Sequence, residues 1–267
     1  MPDKPSNPCP HFDTLTLPPL PRGKKVFFAS DFHLGTLQAH DREKKIVDWL
    51  ESILPTTHAL FLLGDIFNLW FEYKHVVPKG FSRFQGKLAH FADQGIPVYL
   101  LLGNRDLGMY DYLHRECNVR LFRHHVSAII QQRTFLIGHG DLLAGSRGYK
   151  RIRKVIYENP AFRWLFRQLH PDLGLPLLNW MTSPWHNQQH ACRLHPDPIF
   201  QACQDLLEPV KHHDFYIFGH LHKPYHAMVH ANSAYYNIGD WVQHATYGVF
   251  NGKVFSLERD LSLCLCL

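Results

Sequence analysis

Apolar runs of four or five residues recur along the chain at 25–29, 59–63, 98–102, 134–137 and 215–218. Runs this short, with no polar residue at alternate positions, predict strands covered on both faces. Between them the period changes to that of a helix. Ile46, Val47, Trp49, Leu50 and Ile53 make one apolar face over 41–54, which Pro55 closes, and Phe81, Phe84, Leu88 and Phe91 make another over 79–93, stopped by Gly95 and Pro97. A short helix is expected over 108–117. Strands at 119–122, 126–131 and 133–137 then follow with no helix between them, which reads as a hairpin-type passage. Helix is expected again over 197–207, and short antiparallel strands over 226–229, 233–238, 245–251 and 253–257 close the chain. Strand–helix units followed by antiparallel strands predict a layered α/β sandwich rather than a purely parallel sheet.

The texture changes over about 145–198. Between Arg147 and Arg167 there are seven basic residues and one acidic one, interleaved with aromatic and aliphatic residues, and Trp180, Met181 and Trp185 follow near prolines. This predicts a helical insertion with an apolar and basic surface. Residues 1–23, rich in proline, read as a loose N-terminal arm, leaving 24–267 as one domain that carries the insertion.

Each apolar run ends in a polar cluster. In order these are Asp31-Phe32-His33, Gly64-Asp65, Gly103-Asn104-Arg105-Asp106, Gly138-His139-Gly140-Asp141 and Gly219-His220-Leu221-His222. Loops leaving the C-terminal ends of strands are where α/β sheets place their chemistry. Neutral imidazoles with carboxylate and amide oxygens suit divalent Mn, Fe or Zn. On an extended loop, Asp31 and His33 would point to the same side, as would His220 and His222. Asp31, His33, Asp65, Asn104, His139, His220 and His222 are too many ligands for one ion, and suit two metals bridged by a carboxylate. No Walker loop, nucleophile elbow or dinucleotide fingerprint competes with this reading.

Composition adds little. A formal charge of +5 favours acidic partners mildly, and the 21 histidines allow a metal site without requiring one. Six cysteines without a CxxC spacing read as reduced thiols. No run approaches the ~20 apolar residues needed to span a bilayer, and the first residues lack the pattern of a signal peptide.

The five motifs, in this order, resemble the signature of the calcineurin-like metallophosphoesterases. That resemblance implies a four-layer α/β/β/α sandwich. It places Asp31, His33, Asp65 and His222 on one metal, and Asp65, Asn104, His139 and His220 on the other, with Asp65 bridging. Two positions depart from the general pattern: Asn68 stands where the second motif usually has aspartate, and Arg105 where the third usually has histidine. Arginine stays charged and cannot act as a general acid, but its planar fork binds phosphate oxygens. Such a site suits a leaving group that needs little protonation, as a nucleotide phosphate does.

The Asn-Arg-Asp variant, the Gly-His-x-His-x-Pro motif, Gly239-Asp240-Trp241-Val242 and the insertion are similar to the UDP-2,3-diacylglucosamine pyrophosphohydrolases of lipid A synthesis. This implies water attack on the α-phosphorus of UDP-2,3-diacylglucosamine, giving UMP and 2,3-diacylglucosamine 1-phosphate. It also implies manganese ahead of iron or zinc, and a cytoplasmic protein associated peripherally with the inner membrane, with no nucleic-acid partner. Asn104, Arg105 and His220 are then the catalytic and phosphate-binding candidates, joined in the lid by Arg147, Lys150, Arg151 and Lys154, with Tyr149 beside them. Asp106 and Asp141 are expected to orient neighbours, and Asn68 and Glu72 to be supporting or helix residues. Two other readings compete: another nucleotide or phosphodiester as substrate, and a catalytically dead scaffold. The sequence leaves acyl length and oligomeric state open.

Overall fold

The computed structural model describes residues 12–36, 39–145, 148, 153, 159–186 and 197–260. Two six-stranded sheets lie face to face. One has the order β12(Phe255–Arg259), β11(Thr246–Phe250), β2(Lys25–Ala29), β3(Thr57–Leu62), β4(Val98–Leu101), β5(Arg120–Phe122). The other has the order β1(Asp13–Thr16), β6(Val126–Ile130), β7(Arg133–Ile137), β8(Phe215–Phe218), β10(Ser233–Asn237), β9(Tyr225–His230). Strands β2 to β5 pair in parallel, as do β7, β8 and β10, so the loops at their C-terminal ends open on one rim.

The alternation along each strand builds the layers. Val26 and Phe28 on β2 and Ala59 and Phe61 on β3 point between the sheets, where they meet Val126, Phe135, Ile137 and Ile217 of the second sheet. Their neighbours Phe27, Ala29, Leu60 and Leu62 face outward, onto α1(Ala39–Ile53), α2(Ser82–Asp93) and α3(Tyr112–Cys117). On the far side, Leu136, Tyr216 and Phe218 are covered by Ile199, Cys203 and Leu207, from α7(Pro198–Ala202) and the π turn that continues it over Cys203–Leu207. The short α4(Asp141–Ala144) lies alongside. These are the four expected layers. Burial on both faces explains why the strands read as unbroken apolar runs.

Three expectations change. Within the arm, Asp13–Thr16 forms β1, paired in parallel with β6, and buries Leu15 and Leu17 between the sheets. Of the strands after α3, β6 and β7 form the expected antiparallel hairpin, but β5 lies at the edge of the first sheet while β6 and β7 belong to the second. Helix α2 starts at Ser82 rather than Lys79 because Phe81 has a left-handed backbone (φ +62°) that turns its ring onto Phe67.

The insertion contributes α5(Pro160–Phe166) and α6(Pro171–His186). Asn159 caps α5, its side chain accepting from the amides of Ala161 and Phe162, with Pro160 at the first helical position. Phe166, edge-on to Phe71 at 4.9 Å, and the fully buried Leu178 seat both helices on the core around α1 to α3. Trp180 is 72% exposed, as the sequence suggests, but Met181 is half-buried against that core. The side chain of Trp185, and all of Arg147, Tyr149, Lys150, Arg151 and Lys154, lie outside the described residues.

Candidate metal centre

All seven proposed ligands meet on the rim. His33 Nε2 lies 3.1 Å from His222 Nε2, and His222 Nε2 lies 3.1 Å from Asp31 Oδ1. His139 Nε2 lies 3.2 Å from both Asn104 Oδ1 and His220 Nδ1. Between these groups sits Asp65, its Oδ1 3.5 Å from His139 Nε2 and its Oδ2 3.9 Å from His33 Nε2. Among the described residues, ligand atoms of Asp31, His33 and His222 lie within 4.8 Å of one another, and so do those of Asp31, Asp65 and His139. Asp31 as well as Asp65 therefore faces both groups.

The loops do not achieve this by extension. Asp31, His33, Asp65, His220 and His222 all have left-handed backbones, with φ between +46° and +71°. The expectation that alternate residues of an extended loop share a face is thus replaced by a tighter turn at each pair. A non-glycine residue in this region costs on the order of 1–3 kcal/mol, and such strain concentrates at functional sites. Inter-loop hydrogen bonds hold it: the amide of Asp31 donates to the Gly64 carbonyl and that of His33 to the Asp65 carbonyl, both at 3.0 Å. Close approach depends on glycine at Gly103, where a Cβ would sit 2.2 Å from Asp65 Oδ1.

The donor set fits divalent cations. Asp31 Oδ2 accepts from Ser30 Oγ at 2.5 Å and from the His220 amide at 2.9 Å, while Asp65 Oδ1 accepts from the Arg105 amide at 2.9 Å. The remaining oxygens, Asp31 Oδ1 and Asp65 Oδ2, are buried and accept no hydrogen bond. Two buried carboxylate oxygens without hydrogen bonds, aimed at converging imidazole nitrogens, suit a cation between them. His139 Nδ1 donates to the Leu63 carbonyl at 2.7 Å, which leaves the Nε2 lone pair for the centre. Burial, reinforced by neighbouring His139, pulls His220 down to about 4, so its ring is neutral and available as a ligand. Burial opposes charge on His222, but Asp31 and Asp240 outweigh it and raise this ring to about 10.

Supporting residues are of two kinds. Asp106 accepts from the amides of Ile66 and Phe67, orienting the Asp65 loop as expected; burial and the Asp65 charge push its carboxyl up to about 7. Asp141 pairs with Arg153. Glu72 lies in no helix: its carboxylate accepts from Trp70 Nε1 and the amides of Asp111 and Tyr112. Asn68 accepts from Arg105 Nη1 through its side-chain oxygen at 2.9 Å. Sequence reasoning missed the roles of Ser30, Asn237 and Asp240. Asn237 Nδ2 donates to the Gly219 carbonyl at 2.7 Å, and Asp240 Oδ2 lies 3.3 Å from His222 Nδ1. The Gly239-Asp240-Trp241-Val242 segment was the available signal, but no spacing tied it to His222.

A family model described as "Calcineurin-like phosphoesterase" matches residues 24–224. This chain belongs to the calcineurin-like phosphoesterases. Membership implies divalent metal ions and makes the protein a metal-dependent hydrolase, and the cluster above provides candidate ligands for those ions. Among curated phosphoesterases of this kind, the chain is 31% identical over 258 residues to "UDP-2,3-diacylglucosamine hydrolase" of Porphyromonas gingivalis, covering 88% of this chain and 97% of the relative. It is 27% identical over 240 residues to the protein of the same name from Shewanella pealeana, covering 88% and 95%. A solved dimetal phosphatase from Danio rerio is similar at 11% identity, covering 89% of this chain and 96% of that one, with a TM-score of 0.45.

The contact of Asp240 with His222 Nδ1 makes a specific prediction. Asp240→Asn keeps the size and removes the charge behind His222, so metal affinity is expected to fall roughly 10–100-fold. Equilibrium dialysis against buffered Mn checks it, and an unchanged affinity would remove Asp240 from the centre.

Proposed function

We propose that this phosphoesterase hydrolyses the diphosphate of UDP-2,3-diacylglucosamine, releasing UMP and 2,3-diacylglucosamine 1-phosphate. The observation that carries the reading is the similarity, along 88% of the chain, to a protein named for that substrate. Arg105 supports it, because an arginine beside the cluster favours a phosphate leaving group over an alkoxide.

In this reading Asp31, His33, Asp65 and His222 hold one ion, and Asp65, Asn104, His139 and His220 the second. The ions, manganese foremost, supply Lewis-acid polarisation of a phosphoryl oxygen and an activated water. Arg105 grips the diphosphate, with its backbone fixed to Asp65 and its Nη1 to Asn68. His220 is kept neutral by burial and orients beside the phosphate without competing for the proton. The lid accepts the acyl chains: Trp164 is 66%, Leu173 69% and Trp180 72% exposed, an apolar outer surface on helices whose inner faces are already packed. Arg147, Lys150, Arg151 and Lys154 add positive charge along the same insertion. The exposed Trp164, Leu173 and Trp180 and the basic residues of the insertion support a peripheral place on the cytoplasmic membrane surface.

One assay tests the reading. Purified protein with Mn is expected to release UMP from UDP-2,3-diacylglucosamine, and to sediment with anionic lipid vesicles. Turnover of bis-p-nitrophenyl phosphate alone would instead favour a phosphodiester or soluble nucleotide.

A further inference from the structure

Three guanidinium groups from two separate parts of the chain gather on one tyrosine. Arg163 Cζ lies 3.9 Å from the centroid of the Tyr110 ring, Arg167 Cζ 4.6 Å and Arg123 Cζ 5.4 Å. Tyr110 belongs to the β4–α3 loop that also carries Asn104 and Arg105, and Arg123 directly follows β5, so the cluster sits on the same rim as the metal centre. Arg163 and Arg167 reach it from α5 of the lid.

Little in the protein compensates this charge. Arg123 Nη2 donates to the Met109 carbonyl at 2.6 Å and Arg167 Nε to the Glu72 carbonyl at 2.9 Å, both neutral acceptors. The nearby Glu72 carboxylate, hydrogen-bonded to Trp70, Asp111 and Tyr112, offsets part of the charge from a distance without pairing with any of the three, and Asp141 pairs with Arg153. Among the described residues no carboxylate forms an ion pair with Arg123, Arg163 or Arg167. Tyr110 Oη and Arg163 Nε are buried and make no hydrogen bond. Both can donate.

A ring face attracts cations, which accounts for one or two of the three. It does not account for two buried donors left unsatisfied, nor for three like charges held together where water screens poorly. Burial, and the repulsion of Arg163 and Arg153, lower the Arg123 guanidinium from its ordinary value against the pull of Tyr110.

We propose that Tyr110, Arg123, Arg163 and Arg167 form a second anion site, separate from the metal centre, that takes a phosphate monoester. A dianion matches three cations better than a carboxylate does, and its oxygens can accept from Tyr110 Oη and from guanidinium forks together. All four residues are half-buried, so an anion can reach them from solvent. Free phosphate and a phospholipid headgroup share this chemistry.

Calorimetric titration of inorganic phosphate into the full-length, metal-loaded protein is expected to show two classes of site. Arg163→Gln and Arg167→Gln should each weaken one class at least about tenfold, as loss of a charged hydrogen bond does. Hydrolysis of bis-p-nitrophenyl phosphate should stay at the parent rate in both. Vesicles of phosphatidylcholine doped with phosphatidic acid, against phosphatidylcholine alone, separate the sources. Recruitment that depends on these arginines assigns a headgroup, and phosphate binding without such recruitment assigns a soluble monoester. Tyr110→Phe, which deletes only the hydroxyl, covers the case that the arginine variants misfold, and should weaken the same class several-fold. A single class of phosphate site, or two classes unchanged in the folded variants, would overturn the proposal.

Discussion

Asp65→Ala is expected to remove metal-dependent turnover, by more than the ~10²–10³-fold that loss of a single charge-stabilising donor costs. Asp65 lies between the two imidazole groups, its Oδ1 3.5 Å from His139 and its Oδ2 3.9 Å from His33, and Oδ2 is buried without a hydrogen bond. In the proposed two-metal arrangement, deleting it would take an anionic ligand from each ion, and it frees the Arg105 amide. Alanine must also adopt the left-handed backbone at φ +51°. Asp65→Asn separates these effects, because it keeps an oxygen for the Arg105 amide and loses only charge. Both variants should bind at most one metal ion per chain by elemental analysis, with bis-p-nitrophenyl phosphate hydrolysis falling in parallel. Two ions and near-parent turnover in Asp65→Asn would sink the bridging role.

Asp65 also shows what a sequence can and cannot convey. Its place in the centre was legible because the apolar run before it marks a strand, and because parallel strands release their loops on one rim. The same logic located Asp31, Asn104, His139 and His220 from order alone. The turn that aims them was not legible, since a left-handed aspartate or histidine leaves no mark in the residue pattern. Asp240 was also out of reach, because its pairing with His222 spans β9 and β10 and depends on where their connection returns. β1 was hidden for a different reason. Asp13–Thr16 lies in a proline-rich stretch and gains its partner, β6, only after more than a hundred intervening residues. The change of sheet between β5 and β6 follows from packing that alternation alone does not specify.

Arg105→Ala should lower kcat on a nucleotide-linked diphosphate by ~10²–10³-fold if the guanidinium stabilises charge on the phosphates. The two departures from the family pattern act together here. Asn68 accepts from Arg105 Nη1 at 2.9 Å, so it fixes the fork through a neutral oxygen. An aspartate in its place would hold the guanidinium as firmly and neutralise it. Asn68→Asp is therefore expected to resemble a weaker Arg105→Ala, with substrate affinity falling and metal content unchanged. Arg105→His restores the side chain usual in the family and offers a proton that arginine cannot give. It should still turn over the diphosphate poorly, because a phosphate leaving group gains little from protonation. With a methyl or alkyl phosphodiester, whose leaving alkoxide needs a proton, Arg105→His should approach or exceed the parent rate. The decisive quantity is the ratio of kcat/KM for the two substrates, which should shift toward the alkyl ester in Arg105→His. An unchanged ratio would mean that residue 105 only positions the Asp65 loop through its backbone, and that leaving-group selection lies elsewhere.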